Sequence, residues 1–201
     1  MQGRPSTDSA PPAATDARVR VARPEEAEHL REIERASAQR FIPIGMPALA
    51  ADEPTDVATL HRRGAAGHLL VSEGDGQAPV AFVMFREVDG CAYIEQIDVL
   101  PAHAGRRLGA ALIDAVEAVA IREGWPALLL STFREVPWNA PYYRRLEFED
   151  LPDPTLGPAL LEIRAEHIKR GLDETRRVFM RRPVKRISEV TPLRVRPYPR
   201  T

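Results

Sequence analysis

From Val99 to Ile113 the sequence reads Val-Leu-Pro-Ala-His-Ala-Gly-Arg-Arg-Leu-Gly-Ala-Ala-Leu-Ile, and here residue types and spacing come closest to a chemistry. An extended run ends at Val99, a loop turns at Pro101 and a long helix is expected to begin near Gly105. Small residues leave the backbone N–H groups of the loop uncovered. The first N–H groups of a helix have no partner inside it. With the aligned peptide dipoles they form a site for an anion, often a phosphate. On these residues alone, a cradle for a coenzyme pyrophosphate and an ordinary strand–turn–helix crossover both stand.

Other chemistries are poorly served. No Gly-Lys-Ser/Thr follows the glycines, so the loop is not a P-loop. Three extended runs precede it and its glycine spacing is wrong for a dinucleotide fingerprint. The five histidines (His29, His61, His68, His103 and His167) are scattered, with no pair at the three-to-five-residue spacing of metal ligands. No metal site is expected. No serine sits in a Gly-x-Ser-x-Gly elbow. Cys91, the single cysteine, lies beside a turn with no sign of activation, so a covalent acyl-enzyme is not expected.

The elements that must position the loop can be read on both sides of it. Residues 1–17 are rich in Pro, Ala, Ser and Asp and read as a flexible leader. A short strand over 18–22 precedes a helix that starts at Pro24, carries Glu25 and Glu26 in its first turn and runs to about Arg40. Ala27, Leu30 and Ile33 mark its apolar face. Residues 41–55, with three prolines, read as a loop with room for one short helical turn, serving as the wall of a binding site or as a plain connector. A short helix is expected over 56–64. Strands over 68–73, 80–88 and 91–99 follow, the last two joined by the hairpin signal Asp89-Gly90. After the loop, Leu108, Ala111, Leu112, Ala115, Val116, Val119 and Ala120 form one helical face, closed by Gly124. The run 127–132 reads as a buried strand, completing a right-handed βαβ unit. Asn139 is a candidate N-cap for a short helix over 140–146. An extended segment at Phe148, a helix over 156–170 and a strand over 177–181 complete the pattern. Residues 184–201 are basic and proline-rich and read as a tail. Together these elements make an α+β fold with a mixed sheet.

Composition narrows the function classes. The chain has 201 residues, enough for one domain with tails, and is 44% hydrophobic, enough for a sizeable core. A formal net charge of −1 gives no basic field for nucleic acid. No apolar run approaches the roughly 20 residues that span a bilayer, and the N-terminus carries no apolar signal core. The expected compartment is cytoplasmic, with no nucleic-acid or membrane partner.

At one point the pattern becomes specific. The run Tyr93-Ile-Glu-Gln-Ile-Asp-Val-x-Pro-x-x-x-Gly-Arg-Arg-Leu-Gly-Ala-Ala-Leu112 resembles the acetyl-CoA motif of the GNAT superfamily of N-acetyltransferases. Some thirty residues later, Pro137-Trp-Asn-Ala-Pro-Tyr-Tyr-Arg-Arg-Leu-Glu-Phe148 resembles that superfamily's second motif, which commonly ends Phe-Tyr-x-x-x-Gly-Phe. The resemblance covers residues 18–183 and implies a GNAT-like acyl-CoA N-acyltransferase fold, a central, mostly antiparallel twisted sheet flanked by helices. Two departures stand out. The family pattern is Gln/Arg-x-x-Gly-x-Gly/Ala. Counted from the strand end, Ala104 takes its first position, Arg107 its middle glycine and Gly109 its last. Counted on pattern alone, it is Arg106-x-x-Gly109-x-Ala111. The first register keeps the distance from the strand and puts a long side chain where glycine is usual. Glu147 likewise replaces the glycine before Phe148.

The resemblance implies acetyl-CoA as co-substrate and a primary amine of a small molecule as acceptor, joined in one ternary complex. Backbone N–H groups of the loop residues Ala104, Gly105, Arg106, Arg107, Leu108, Gly109 and Ala110 would hold the pyrophosphate. Ile97, Asp98 and Val99 would pair with the pantetheine arm like an added strand, because in this family the motif strand splays from the next one. A backbone N–H near Val99 would polarise the thioester carbonyl. An alkylammonium must lose a proton before it attacks. Glu95 is the candidate base, on the expectation that it shares one strand face with Tyr93, Ile97 and Val99. Asp98, of opposite parity, is the second choice. Tyr143 matches the family tyrosine and would serve the departing thiolate as acid; its neighbour Tyr142 is the other register. Asn139 would donate to the coenzyme, cap its helix, or do both. The acceptor pocket is expected from residues 41–46 and from the neighbourhood of Glu95. A protein lysine or N-terminal acceptor, a coenzyme-binding regulatory module without turnover, and a phosphate-binding adaptor are the alternatives. A homodimer through the last strand is left open.

Overall fold

The computed structural model describes residues 18–74 and 76–185. The leader and nearly all of the basic tail lie outside the described residues. Seven strands form one sheet in the order β1-β2-β3-β4-β5-β7-β6. They are β1 Val19–Val21, β2 Leu69–Glu73, β3 Pro79–Val88, β4 Cys91–Val99, β5 Ala127–Phe133, β6 Glu149–Asp150 and β7 Arg177–Pro183. The meander β2-β3-β4 is antiparallel, and β4 and β5 are the parallel pair of the βαβ unit. The helices are α1 Ala27–Ala38, α2 Pro47–Ala51, α3 Val57–Ala65, α4 Leu108–Glu123, α5 Ala140–Arg144 and α6 Pro158–Lys169.

Two layers of helix bury the two faces of the sheet. Leu112, Ile113 and Val116 of α4 are fully buried against Val83, Phe85 and Ile94. Each such side chain contributes about 1.5–3 kcal/mol relative to exposure. On the other face Leu30 and Ile33 of α1, with Leu60 of α3, cover Val71, Phe82 and Met84. Farther along that face Leu160 and Ile163 of α6 meet Tyr93, Leu129 and Phe179.

Caps explain several boundaries. Asp56 accepts the Thr59 N–H at 2.8 Å and starts α3. Gly124, at φ 74°, ends α4 in a left-handed turn. The start of α6 is capped from a distance. The Asp89 carboxylate, in the β3–β4 hairpin, accepts the N–H groups of Ala159 (3.2 Å) and Leu160 (3.3 Å). Gly157 is required beneath it, since a Cβ there would run into that carboxylate. The last strand is not a free edge: β7 pairs with β5 on one side and β6 on the other.

Candidate acetyl-transfer site

The site is made by a strand pair that comes apart. β4 and β5 pair over Ala92–Leu128, Tyr93–Leu129 and Ile94–Leu130 and then stop. β5 continues with β7 to Phe133, whereas β4 continues with β3 to Val99. The β5-facing edge of Ile97, Asp98 and Val99 therefore has no strand partner among the described residues.

On the α4 side of this gap lies the loop. α4 begins at Leu108, three residues later than expected, because Arg107 is its N-cap. The first helical hydrogen bond runs from Ala111 N–H to Arg107 C=O at 3.0 Å. The N–H groups of Leu108, Gly109 and Ala110 thus open toward the loop with no acceptor within the helix. Arg107 has φ 59° and ψ 15°, the left-handed region. The side chain that stands where glycine is usual has kept glycine's backbone. Gly105 also has positive φ, 78°, while Ala104 is extended. Alternating conformations of this kind turn successive N–H groups inward as an anion-binding concavity. Gly109 lies close under a ring: a Cβ there would stand 3.1 Å from the Tyr142 hydroxyl, which would have to give by a few tenths of an ångström.

The rings of the two adjacent tyrosines go to different surroundings. Tyr142 lies against Gly109 with the Arg145 guanidinium 5.7 Å from its ring centroid. Tyr143 is buried beside Phe148, within the fields of Arg40 and Asp98. Burial first, then Tyr142, push the Tyr143 phenol well above its ordinary range, so it stays protonated. Asn139 occupies the N-cap position of α5 and is buried, but its side chain makes no capping hydrogen bond. Its carbonyl takes the Tyr142 and Tyr143 N–H groups instead, at 2.8 and 3.0 Å.

One premise of the sequence reading is overturned. Opposite β4, Met84 pairs with Gln96 and Phe85 with Ile94, so Glu95 is an extra, bulged residue. The bulge reverses the alternation beyond it. Ile97 and Val99 join the core under α4, whereas Asp98, opposite Phe82, turns to the α1 side and is 5% exposed. Glu95 therefore does not share a face with Ile97 and Val99, and Asp98 is not of opposite side to Tyr93 and Glu95.

Those three acid- and phenol-bearing residues line a cleft of about 240 Å3 on the α1 side of the gap. Glu34 and Ala38 of α1, Phe41, and Asp52 and Glu53 after α2 form one wall; Ser131, Phe133, His167, Arg170 and Arg177 form the other. Of residues 41–46 only Phe41 takes part. An ion pair of 3.4 Å between Arg170 and Asp52 joins the two walls. Glu95 is held firmly. Its Oε2 accepts Arg63 Nε at 2.6 Å, and its Oε1 accepts Arg63 Nη2 and Arg86 Nε, both at 2.9 Å. Glu34 has no such partner: it accepts only the Thr55 N–H (3.1 Å) and hydroxyl (3.4 Å). Burial, and then the nearby Asp98, push its carboxyl up to about 7. Burial raises Asp98 too, against the opposing Gln96 amide, which donates to it at 2.6 Å.

Glu34 escaped the sequence reading. A signal was present: it falls four residues after Leu30 and seven after Ala27, which sets a carboxylate beside the apolar stripe of its helix. Among the described residues no group of three His, Cys, Asp or Glu side chains could hold a metal ion. Nor is any described helix long and apolar enough to cross a membrane.

Comparison with known proteins agrees with this fold. The model of the acetyltransferase (GNAT) family matches residues 27–148, more than half of the chain. A GNAT-family acetyltransferase from Listeria monocytogenes has a similar structure, with a TM-score of 0.60 at 15% identity, covering 83% of this chain and 94% of that one. PaiA N-acetyltransferase from Thermoplasma acidophilum, in complex with coenzyme A, gives 0.62 at 13% identity, covering 84% and 99%. N-acetylglutamate synthase from Neisseria gonorrhoeae, complexed with coenzyme A and N-acetyl-glutamate, gives 0.64 at 13%, covering 85% of this chain and 35% of that one.

Proposed function

The chain belongs to the acetyltransferase (GNAT) family, and from that premise we propose that it transfers an acetyl group from acetyl-CoA directly to a primary amine of a small molecule in a ternary complex. The parting of β4 from β5 carries this reading. It leaves a backbone edge and a helix N-terminus on one side and an acid-lined cleft on the other. The cleft holds only about 240 Å3 between its walls, which favours a small acceptor over a folded protein surface.

When bound, the coenzyme supplies the acetyl group as a thioester. Everything else falls to the chain. The N–H groups from Gly105 to Ala110 hold the pyrophosphate, with only the backbone of Arg107 required there. Ile97, Asp98 and Val99 offer their open edge to the pantetheine arm, and the N–H near Val99 faces the carbonyl. Tyr143, kept neutral by burial, donates to the departing sulfur. Glu95 fixes the cleft floor through its two arginines. The Asn139 side chain, which makes no capping hydrogen bond, is assigned to donate to the coenzyme.

The test is a panel of small amines, lysine peptides and peptides with free N-termini, read by release of free coenzyme A thiol. Thiol release with a small primary amine and none with peptides is the expected result. Preference for the peptides would make the acceptor a protein. Acetyl-CoA binding with no release across the panel would make the chain a regulatory module.

A further inference from the structure

Five carboxylates line the cleft: Glu34, Asp52, Glu53, Glu95 and Asp98. Three have guanidinium partners. Asp52 has Arg170, Glu53 has Arg31 at 3.8 Å, and Glu95 has Arg63 and Arg86. Glu34 and Asp98 have no ion pair among the described residues. They face each other from α1 and β4 at the level where β4 has left β5, with Arg40 as a further charge acting on Asp98 and Arg31 on Glu34. From the other wall His167, Arg170 and Arg177 face the cleft, and all three are engaged, Arg170 with Asp52 and both His167 and Arg177 with Glu174.

We propose that Glu34 is the base that takes the proton of the acceptor ammonium, with Asp98 opposite it as the second carboxyl of the seat for that cation.

The geometry separates the duties of the cleft acids. Both lone-pair directions of Glu95 Oε1 are already used by Arg63 and Arg86, and Oε2 takes a third guanidinium bond. Such a carboxylate orients a cation but is badly placed to accept its proton. Glu34 is anchored by two neutral donors from Thr55, which fix its rotamer and leave lone pairs for the acceptor. Its carboxyl is also matched to the task, since an acid poised near 7 can both accept a proton and release it near neutral pH. The protons balance as follows. The ammonium gives one proton to Glu34, which passes it to solvent. The free amine then forms the C–N bond as the C–S bond breaks. The second nitrogen proton lost is matched by the one the sulfur acquires, giving amide and free thiol.

This inference rests on the acetyl-transfer reading, and the experiment keeps the two apart. Rates of thiol release are measured against pH from 5.5 to 9 for the wild type, Glu34→Gln and Glu95→Gln, with the best amine of the panel. Acetyl-CoA binding and circular dichroism are followed in parallel to establish that each variant folds. Glu34→Gln is expected to lower kcat at pH 7 by about 10²-fold, to lose the acidic limb near pH 7 and to recover as pH approaches the amine's own pKa. Glu95→Gln is expected to keep that limb and to raise KM. If wild type acetylates an amine and Glu34→Gln keeps the limb, the base is not Glu34. If Glu95→Gln alone loses it, Glu95 is the base. If wild type acetylates nothing, the acetyl-transfer reading itself falls and this inference with it. Should Glu34→Gln fail to fold, Glu34→Asp serves: a shorter base should slow kcat and leave the limb in place, and an unslowed rate would refute the role.

Discussion

Replacing Arg107 by glycine and, separately, by alanine tests the backbone of the coenzyme loop without reference to any substrate. Both variants remove the guanidinium, so side-chain contacts cancel between them. What remains is the backbone at φ 59°. An L-residue in the left-handed region costs about 1–2 kcal/mol, a penalty glycine does not carry. Glycine's greater freedom in the unfolded chain takes back about 0.4–1 kcal/mol. Arg107→Gly should therefore be more stable than Arg107→Ala by about 0.5–1 kcal/mol. For a chain of this size that is roughly 1–4 °C in Tm, resolvable by thermal melts at fixed pH and salt. The sign is the diagnostic: at a helix start with negative φ, alanine would win. An alanine variant as stable as the glycine variant, or more so, would refute the left-handed assignment. Calorimetry on the same two proteins tests the cradle. If only the N–H of residue 107 faces the pyrophosphate, both variants should bind coenzyme A within about threefold of wild type. A loss beyond about tenfold, near 1.4 kcal/mol, would show that the guanidinium itself holds phosphate.

Tyr143→Phe should slow acetyl transfer by about 10²-fold through loss of one hydrogen-bond donor to the leaving sulfur, with coenzyme A affinity unchanged in calorimetry; wild-type rates would remove Tyr143 from the reaction. Asp89→Ala should cost about 1–2 kcal/mol, since α6 loses its cap and alanine must take Asp89's φ of 48°, and a Tm drop of less than 1 °C would show that the cap is idle. The pH profile of stability should be shaped by two opposing groups. Glu34, raised from 4.5 to about 7, binds more protons folded than unfolded, so stability falls as pH rises through that window. His167, lowered by burial and then by Arg177 from 6.5 to about 4, does the reverse. The two slopes oppose each other between about pH 4.5 and 6.5. In urea titrations Glu34→Gln should tilt the profile upward with pH and His167→Gln should tilt it downward. Parallel profiles would refute both assignments.

The sequence carried the meander, the βαβ unit and their strands to within a residue or two, because alternation, Asp89-Gly90 and Gly124 are local signals with local causes. It also located the two positions where glycine is missing from the family pattern. Arg107 and Glu147 both have positive φ, 59° and 65°, so the fold demands the same backbone there and the chain supplies it with a strained residue. The face of Glu95 was hidden, although the adjacent polar pair Glu95-Gln96 in an alternating run was its trace. The arginines that hold Glu95 lie 32 and 9 residues away in sequence, and such partners are set by packing. The same holds for Glu34, whose carboxyl is shifted by burial under residues 52–55 and by a strand more than sixty positions later.

The bulge at Glu95 also bears on how this strand can change. Opposite it β3 alternates without a break, so the pairs Ile94–Phe85 and Gln96–Met84 set the faces on either side of the extra residue. Removing Glu95 would leave a regular ladder, with Asp98 still opposite Phe82 on the cleft side and Ile97 still opposite Val83 under α4. The deletion would take from the cleft its arginine-held carboxylate and spare the coenzyme edge. A related strand without the bulge is therefore aligned correctly only with a one-residue gap at Glu95. An ungapped alignment would pair residues from opposite faces of the sheet.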